Sequence, residues 1–227
     1  MPVESNKPYP METKKKFAVI LAGCGNRDGA EIHESVMTLY AIAKSGSSYQ
    51  VFAPDIEQHH VINHYTGETT RESRNILVEA ARIARGKISP LSDFDAQKYD
   101  ILMFAGGFGV AKNFCNYAFE GSECKINPDI EKAVRAMHTA GKPIGALCIS
   151  PVILAKVLDQ VTITMGQDQE AIRNVKAMGA IHQPTRAGEI VIDQKNKVVT
   201  SPCYMLDSTI VDVATEAMKV VDALISL

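Results

Sequence analysis

The chain contains no tryptophan, no C-x-x-C pair and no unbroken apolar run approaching the ~18 residues of a membrane-spanning helix. The missing run removes a spanning helix, so no membrane partner is expected. The missing C-x-x-C removes the usual structural zinc site. Cysteines number five (Cys24, Cys115, Cys124, Cys148 and Cys203), an odd and widely spaced set that does not make a disulfide scaffold. Free thiols and the lack of an apolar secretory segment fit a reducing setting, and a cytoplasmic protein is expected. Glycine and proline are sparse, at 15 and 10 of 227 residues, which speaks against collagen and low-complexity sequence. Charge of one sign is lacking too: 24 Lys and Arg face 26 Asp and Glu. That balance lacks the broad positive field of a nucleic-acid binder.

What remains is a 46% hydrophobic chain with material for a substantial core and length for one large domain or two small ones. The polar start, MPVESNKPYPMETKKK, reads as a flexible tail over 1–15, with one domain over 16–227. FAVILA at 17–22 is a short apolar run suited to a strand buried on both faces. The spacing of Ile32, Val36, Leu39 and Ala43 predicts a helix ending at Gly46. YQVFAP at 49–54 predicts a second strand, and Ile76, Ala80, Ile83 and Ala84 mark one face of a second helix. Residues 88–98 read as a loop. YDILMFAGGFG predicts a third strand running into a glycine loop. In NPDIEKAVRAMHTAG, Asn127 is the candidate N-cap and Pro128 opens the first turn. KPIGALC is a fourth buried strand, ISPVILAKVLD and QEAIRNVKAMGA are helices, and VTITM is a further strand. EIVIDQKNKVVTS reads as a hairpin on an antiparallel edge, before a closing amphipathic helix. Short apolar strands alternating with helices make one α/β domain, a mostly parallel sheet covered on both faces.

Open α/β sheets bind ligands beyond the carboxyl ends of their strands. Three groups fall there: GCGNRDGAEIHE, GGFG and Cys148. Cys148 occupies a strand-to-helix turn laid out like a nucleophile elbow, where the helix N-terminus favours a thiolate. The bland alternative is an inert core cysteine. Gly106 and Gly107 let backbone N–H groups approach a ligand and form an oxyanion hole, or simply make a tight strand exit. Glu31 and Glu34, three apart at a helix start, are either helix-end charges or carboxyls facing the cleft. A buried one would stay protonated beside a thiol. His33 is turned differently. His59, His60, His64, His138 and His182 form no metal-ligand spacing, and GCGNRDG lacks the third glycine of a dinucleotide loop. No metal ion or other cofactor is therefore expected. Cys24 lies near the same sheet edge, Cys203 lacks an identified base, and Cys115 and Cys124 read as surface or interface residues.

Taken in order, FAVILAGCGNRDGAEIHE, INHYTGE, TRESRNILVEAARIARG, FAGGFGVAKN, GKPIGALCISP and VVTSPCYM resemble the ElbB group. These are glyoxalase-like proteins associated with isoprenoid biosynthesis, in the PfpI/ThiJ branch of the class I glutamine amidotransferase-like superfamily. The resemblance spans about 16–227. It implies a flavodoxin-like three-layer α/β sandwich, frequently dimeric, hence an expected homodimer. It maps the elbow cysteine to Cys148, the superfamily acid to Glu34 with Glu31 at the second acidic position, and the oxyanion loop to Gly107. Ile149 stands where many superfamily members carry histidine, which disfavours Cys-His-Glu glutamine hydrolysis.

The activity implied is a glutathione-independent, glyoxalase III-like lyase reaction turning small reactive 2-oxoaldehydes into hydroxy acids. Cys148, Glu34 and Gly107 would be catalytic, with Glu31, Gly106, Ile149 and Cys24 against the substrate. The competing expectation is a non-catalytic redox-sensing or metabolite-binding protein influencing isoprenoid metabolism.

Overall fold

A computed structural model describes residues 15–227; the expected tail over 1–15 falls, but for its last residue, outside them. The apolar runs form the strands β1 (Lys16–Ile20), β2 (Ser48–Ala53), β4 (Ile101–Phe104) and β5 (Ile144–Leu147), with the short β3 (Ile88–Pro90) between β2 and β4. The polar turn at 194–197 separates β8 (Val191–Asp193) from β9 (Val198–Ser201). These seven strands make one sheet in the order β3-β2-β1-β4-β5-β9-β8, parallel except for the β8–β9 pair.

Side chains alternate across each strand, so β1 sends Phe17 and Val19 to one face and Ala18 and Ile20 to the other. On the Phe17 face lie α1 (Ile32–Lys44), α2 (Ile76–Ile83) and α7 (Ile210–Ser226); on the other lie α4 (Pro128–Thr139) and α5 (Pro151–Val157). The architecture is a three-layer α/β sandwich with flavodoxin-like topology. Each wholly buried Leu, Ile, Val or Phe contributes about 1.5–3 kcal/mol. Local signals place the helix ends: Asn127 accepts from Asp129 N–H at 2.9 Å, and Gly46 follows α1 at φ +81°.

Several local expectations are corrected. β3 lies in the segment read as a loop; it is a half-buried edge strand of three residues, too short for a period to register. The VTITM strand stands outside the main sheet: β6 (Thr162–Ile163) pairs with β7 (Ile181–His182) as a separate ladder, because β9 occupies the place beside β5. The antiparallel edge is β8 alone, β9 being interior and parallel to β5. α1 is rotated from the expected face. Ile32 and Val36 are each 43% exposed, whereas Glu34, Ser35 and Thr38 are wholly buried. Among the described residues no helix is long and apolar enough to cross a membrane.

Candidate active site

The chain leaves β1 toward β2 on one side and β4 toward β5 on the other, so the topological switch point lies between β1 and β4. Their carboxyl ends carry the loops 21–31 and 105–109. Cys148 follows the adjacent β5 with φ +58°, a left-handed conformation costing a non-glycine residue about 1–2 kcal/mol. Surrounding bonds hold it there. Cys148 N–H donates to Ser201 O at 2.9 Å and Ser150 N–H to Leu147 O at 2.9 Å. The wholly buried Ser150 Oγ donates to Ala105 O at 2.6 Å. The elbow is thus tied to the ends of β4 and β9.

Glu34 reaches this corner because Glu31 caps α1: its carboxylate accepts from Glu34 N–H at 2.7 Å, and its own N–H donates to Gly106 O at 2.9 Å. The Glu34 carboxyl accepts from Gly106 N–H at 3.0 Å and from Tyr204 N–H at 3.4 Å, and the Cys148 thiol adjoins it. Burial, and secondarily the charge of Glu31, push the Glu34 carboxyl up to about 8, against the opposing pull of Cys148, Tyr204 and Gly106. It is predominantly a neutral acid at pH 7. Burial, then the charge of Glu34, drives the Cys148 thiol well above its ordinary range, while the N–H groups of Gly107 and Ile149 at the sulfur pull it down. A thiolate favoured by the helix start is therefore not the resting state: desolvation outweighs the dipole.

The paired glycines divide their work. The Gly106 N–H is taken by Glu34, and a Cβ at this position would overlap Cys148 Cβ and Glu34 Oε2. It is a close-approach position whose N–H is committed to Glu34. Gly107, at φ +101°, keeps its N–H directed at the sulfur, and Ile149 supplies the second donor through its backbone.

Cys148, Ile149, Gly107 and Glu31 all border a cavity of about 840 Å3. His33 and Tyr204, which local reading passed over, border it too, with His33 Nδ1 and Tyr204 Oη 2.8 Å apart. Tyr204 carried one faint signal, its place just after a strand at the same sheet edge. Cys24 does not border the cavity. It sits near Glu79 and Arg82, with burial and then Glu79 pushing its thiol upward. Cys115 and Cys124 are buried rather than superficial, at 5% and 1% exposure. Cys203 is sealed beside Glu216, whose carboxyl accepts the Cys203 N–H at 2.8 Å. Among the described residues no three His, Cys, Asp or Glu side chains are grouped to hold a metal ion.

A parallel sandwich with a cysteine elbow, a buried acid and a glycine loop at the switch point agrees with the amidotransferase-like class that the relatives define. No family model matches the chain. The human glutamine amidotransferase-like class 1 domain-containing protein 3, mitochondrial, is 44% identical over 205 residues, covering 86% of this chain and 76% of its own. The ES1 protein homolog, mitochondrial, of Rattus norvegicus is 43% identical over 216 residues, 91% of this chain and 80% of that one. The crystal structure of an isoprenoid biosynthesis protein with amidotransferase-like domain from Ehrlichia chaffeensis superposes with a TM-score of 0.87 at 34% identity, covering 93% and 99% of the two chains. The chain belongs to this ElbB/ES1-like family. The expected cytoplasmic location is overturned by these curated relatives, which are named as mitochondrial proteins. Unpaired thiols distinguish a reducing from an oxidising compartment and do not single out the cytosol.

Proposed function

We propose that the chain converts 2-oxoaldehydes to 2-hydroxy acids in a glyoxalase-like, glutathione-independent reaction at Cys148. The observation that carries this reading is the contact between the Cys148 thiol and a buried Glu34 carboxyl held near pH 8, at the border of a cavity. A group titrating there is suited to both taking and returning protons near neutrality.

In its anionic form Glu34 takes the Sγ proton as sulfur adds to the aldehyde carbon. The carbonyl oxygen develops negative charge beside the Gly107 and Ile149 N–H groups, and Glu34 returns the proton to it, completing a hemithioacetal. Glu34 then removes the hydrogen from that carbon and delivers it to the adjacent carbonyl carbon through an enediol. The resulting thioester is hydrolysed by water, which breaks the S–C bond, releases the hydroxy acid and restores the thiol. No imidazole is required at position 149.

Redox sensing is the less supported reading, because it leaves the cavity and the Gly107 and Ile149 donors without a role. The test is lactate formation from methylglyoxal by wild type, Cys148→Ala and Glu34→Gln. Cys148→Ala is expected to abolish it and Glu34→Gln to lower it by about a hundredfold or more; equal rates in all three proteins would overturn the mechanism.

A further inference from the structure

The cavity beside Cys148 is far larger than the smallest substrate of the proposed reaction. At about 840 Å3 it falls within the ~300–1,000 Å3 of sites for drug-sized ligands, and a three-carbon oxoaldehyde fills roughly a tenth of it. Such a molecule would leave most of the cavity above the buried sulfur filled with water, beside the carbonyl oxygen where charge develops.

The walls have a definite chemistry. Phe108, Tyr117, Phe119, Ile149 and Met205 supply apolar surface. Tyr117 and Phe119 stand on the short helix α3 (Tyr117–Glu120), after a π-helical turn at Val110–Phe114, so this part of the aromatic wall belongs to a different segment from the catalytic loops, whereas Phe108 follows Gly107 directly. The Tyr117 ring is anchored where its Oη accepts from Asn174 Nδ2 at 3.2 Å. Phe108 and Phe119 remain 55% and 47% exposed, large apolar faces that an occupant would desolvate.

The charge on the lining is one-sided. Glu31, Asp168 and Glu170 border the cavity, as does His33, and no Lys or Arg among the described residues does. Asp168 caps α6 (Gln169–Ala177) by accepting from Ala171 N–H at 2.8 Å. A substrate bearing its own carboxylate or phosphate would meet like charge in a concave site with no cation to pair it. The same field favours departure of the hydroxy-acid product, which is an anion.

Resting on the glyoxalase-like reading, we propose that the substrate is an uncharged 2-oxoaldehyde with an aromatic or extended apolar substituent, and that carboxylated and phosphorylated aldehydes are rejected. The substituent lies against Phe108, Tyr117 and Phe119 while the aldehyde carbon meets Cys148 Sγ.

Initial rates with methylglyoxal, phenylglyoxal and 4-carboxyphenylglyoxal test this, alongside ligand-observed NMR binding of the unreactive probes acetophenone and 4-acetylbenzoate. Phenylglyoxal is expected to exceed methylglyoxal at least tenfold in kcat/KM, mainly through KM, and the carboxylated aldehyde to fall at least tenfold below phenylglyoxal. Phe119→Ala should narrow the first ratio, and Asp168→Asn with Glu170→Gln should narrow the second. Acetophenone should bind more tightly than 4-acetylbenzoate. Turnover with equal kcat/KM across all three aldehydes overturns the substrate class and leaves the Cys148 chemistry standing. No turnover of any aldehyde, with acetophenone still preferred, overturns the chemistry and supports the cavity's selectivity. No turnover and no probe binding overturns both.

Discussion

Two corners of this molecule are built from the same parts. In one, Cys148 follows β5 at φ +58°; in the other, Cys203 follows β9 at φ +42°. Each cysteine lies near a wholly buried glutamate, Glu34 or Glu216, and burial drives both thiols upward. The surroundings differ. Glu216 accepts from Gly188 N–H at 2.6 Å, from Cys203 N–H at 2.8 Å and from Ser201 Oγ, in a region sealed from solvent. Glu34 has the longer bonds at 3.0 and 3.4 Å, the charge of Glu31 beside it, and Cys148 opening on a cavity. A carboxyl with short bonds to several donors fastens backbone; one with weaker donors and a neighbouring acid can exchange a proton. The corners are also joined in sequence: Glu216 holds Cys203, and the next residue, Tyr204, gives its N–H to Glu34. Glu216 thereby supports the far wall of the candidate site.

The largest expected contrast is between the two thiols. Cys148→Ala should lower aldehyde turnover by at least about a thousandfold, since it removes the nucleophile. Cys203→Ala should leave turnover within about tenfold, with a stability loss of about 1–2 kcal/mol from the vacated core volume. Comparable loss of turnover in both, with both folded by circular dichroism, would erase the distinction.

The glutamates should differ in the sign of their effect on stability. The folded-state value of Glu34 lies near 8, above its ordinary 4.5, so the folded protein binds the extra proton between these values. The penalty is absent below about pH 4.5, grows as pH rises, and is complete above about pH 8, where it reaches at most on the order of 5 kcal/mol. Glu34→Gln, which does not titrate, should therefore gain stability relative to wild type between urea melts at pH 5 and pH 8.5. It should also lose turnover by about a hundredfold or more, and the wild-type kcat/KM should rise with pH toward an inflection near 8. Glu216→Gln should instead destabilise by about 1–3 kcal/mol at pH 7, because its short bonds are weakened or misdirected. A stabilised Glu216→Gln would show that the two carboxyls are alike.

Gly106→Ala probes how tightly the open corner is packed. Its Cβ would collide with Cys148 Cβ and Glu34 Oε2, so a loss of about 1–3 kcal/mol is expected, together with a shifted pH profile. An unchanged profile would place the carboxyl elsewhere. The smallest effect belongs to Tyr204→Phe, which removes the hydroxyl 2.8 Å from His33 and leaves the Tyr204 N–H to Glu34 intact. A change of a few-fold in KM, with the pH profile preserved, is expected.

Much of the frame was legible from local pattern. Continuous apolar runs marked β1, β4 and β5, YQVFAP marked β2, Asn127 capped α4, and the DQKNK turn marked the β8–β9 pair. The elbow at Cys148 and the glycine loop were legible because strand-to-loop transitions have short-range signatures. The rotation of α1 was not. Apolar spacing favoured an inward Ile32 and Val36, yet the helix turns Glu34, Ser35 and Thr38 inward, where the Glu34 carboxyl finds two backbone donors. Nor was β3, whose three residues pair only because β2 offers an edge. Tyr204 and Glu216 escaped because their partners lie far away in sequence.

By itself the sequence determined an α/β chain, the order of its strands and helices, and the few residues able to carry chemistry at their ends. Those follow from periodicity and turn chemistry, which act over a handful of neighbours. Only the tertiary structure decided that Cys148 rests as a thiol, that Glu34 holds its proton to about pH 8, and that Gly107 rather than Gly106 keeps a free donor. Each depends on burial and on hydrogen bonds among residues 34, 106, 148 and 204. The strand order brings these segments together, and solvent exclusion then sets their charge.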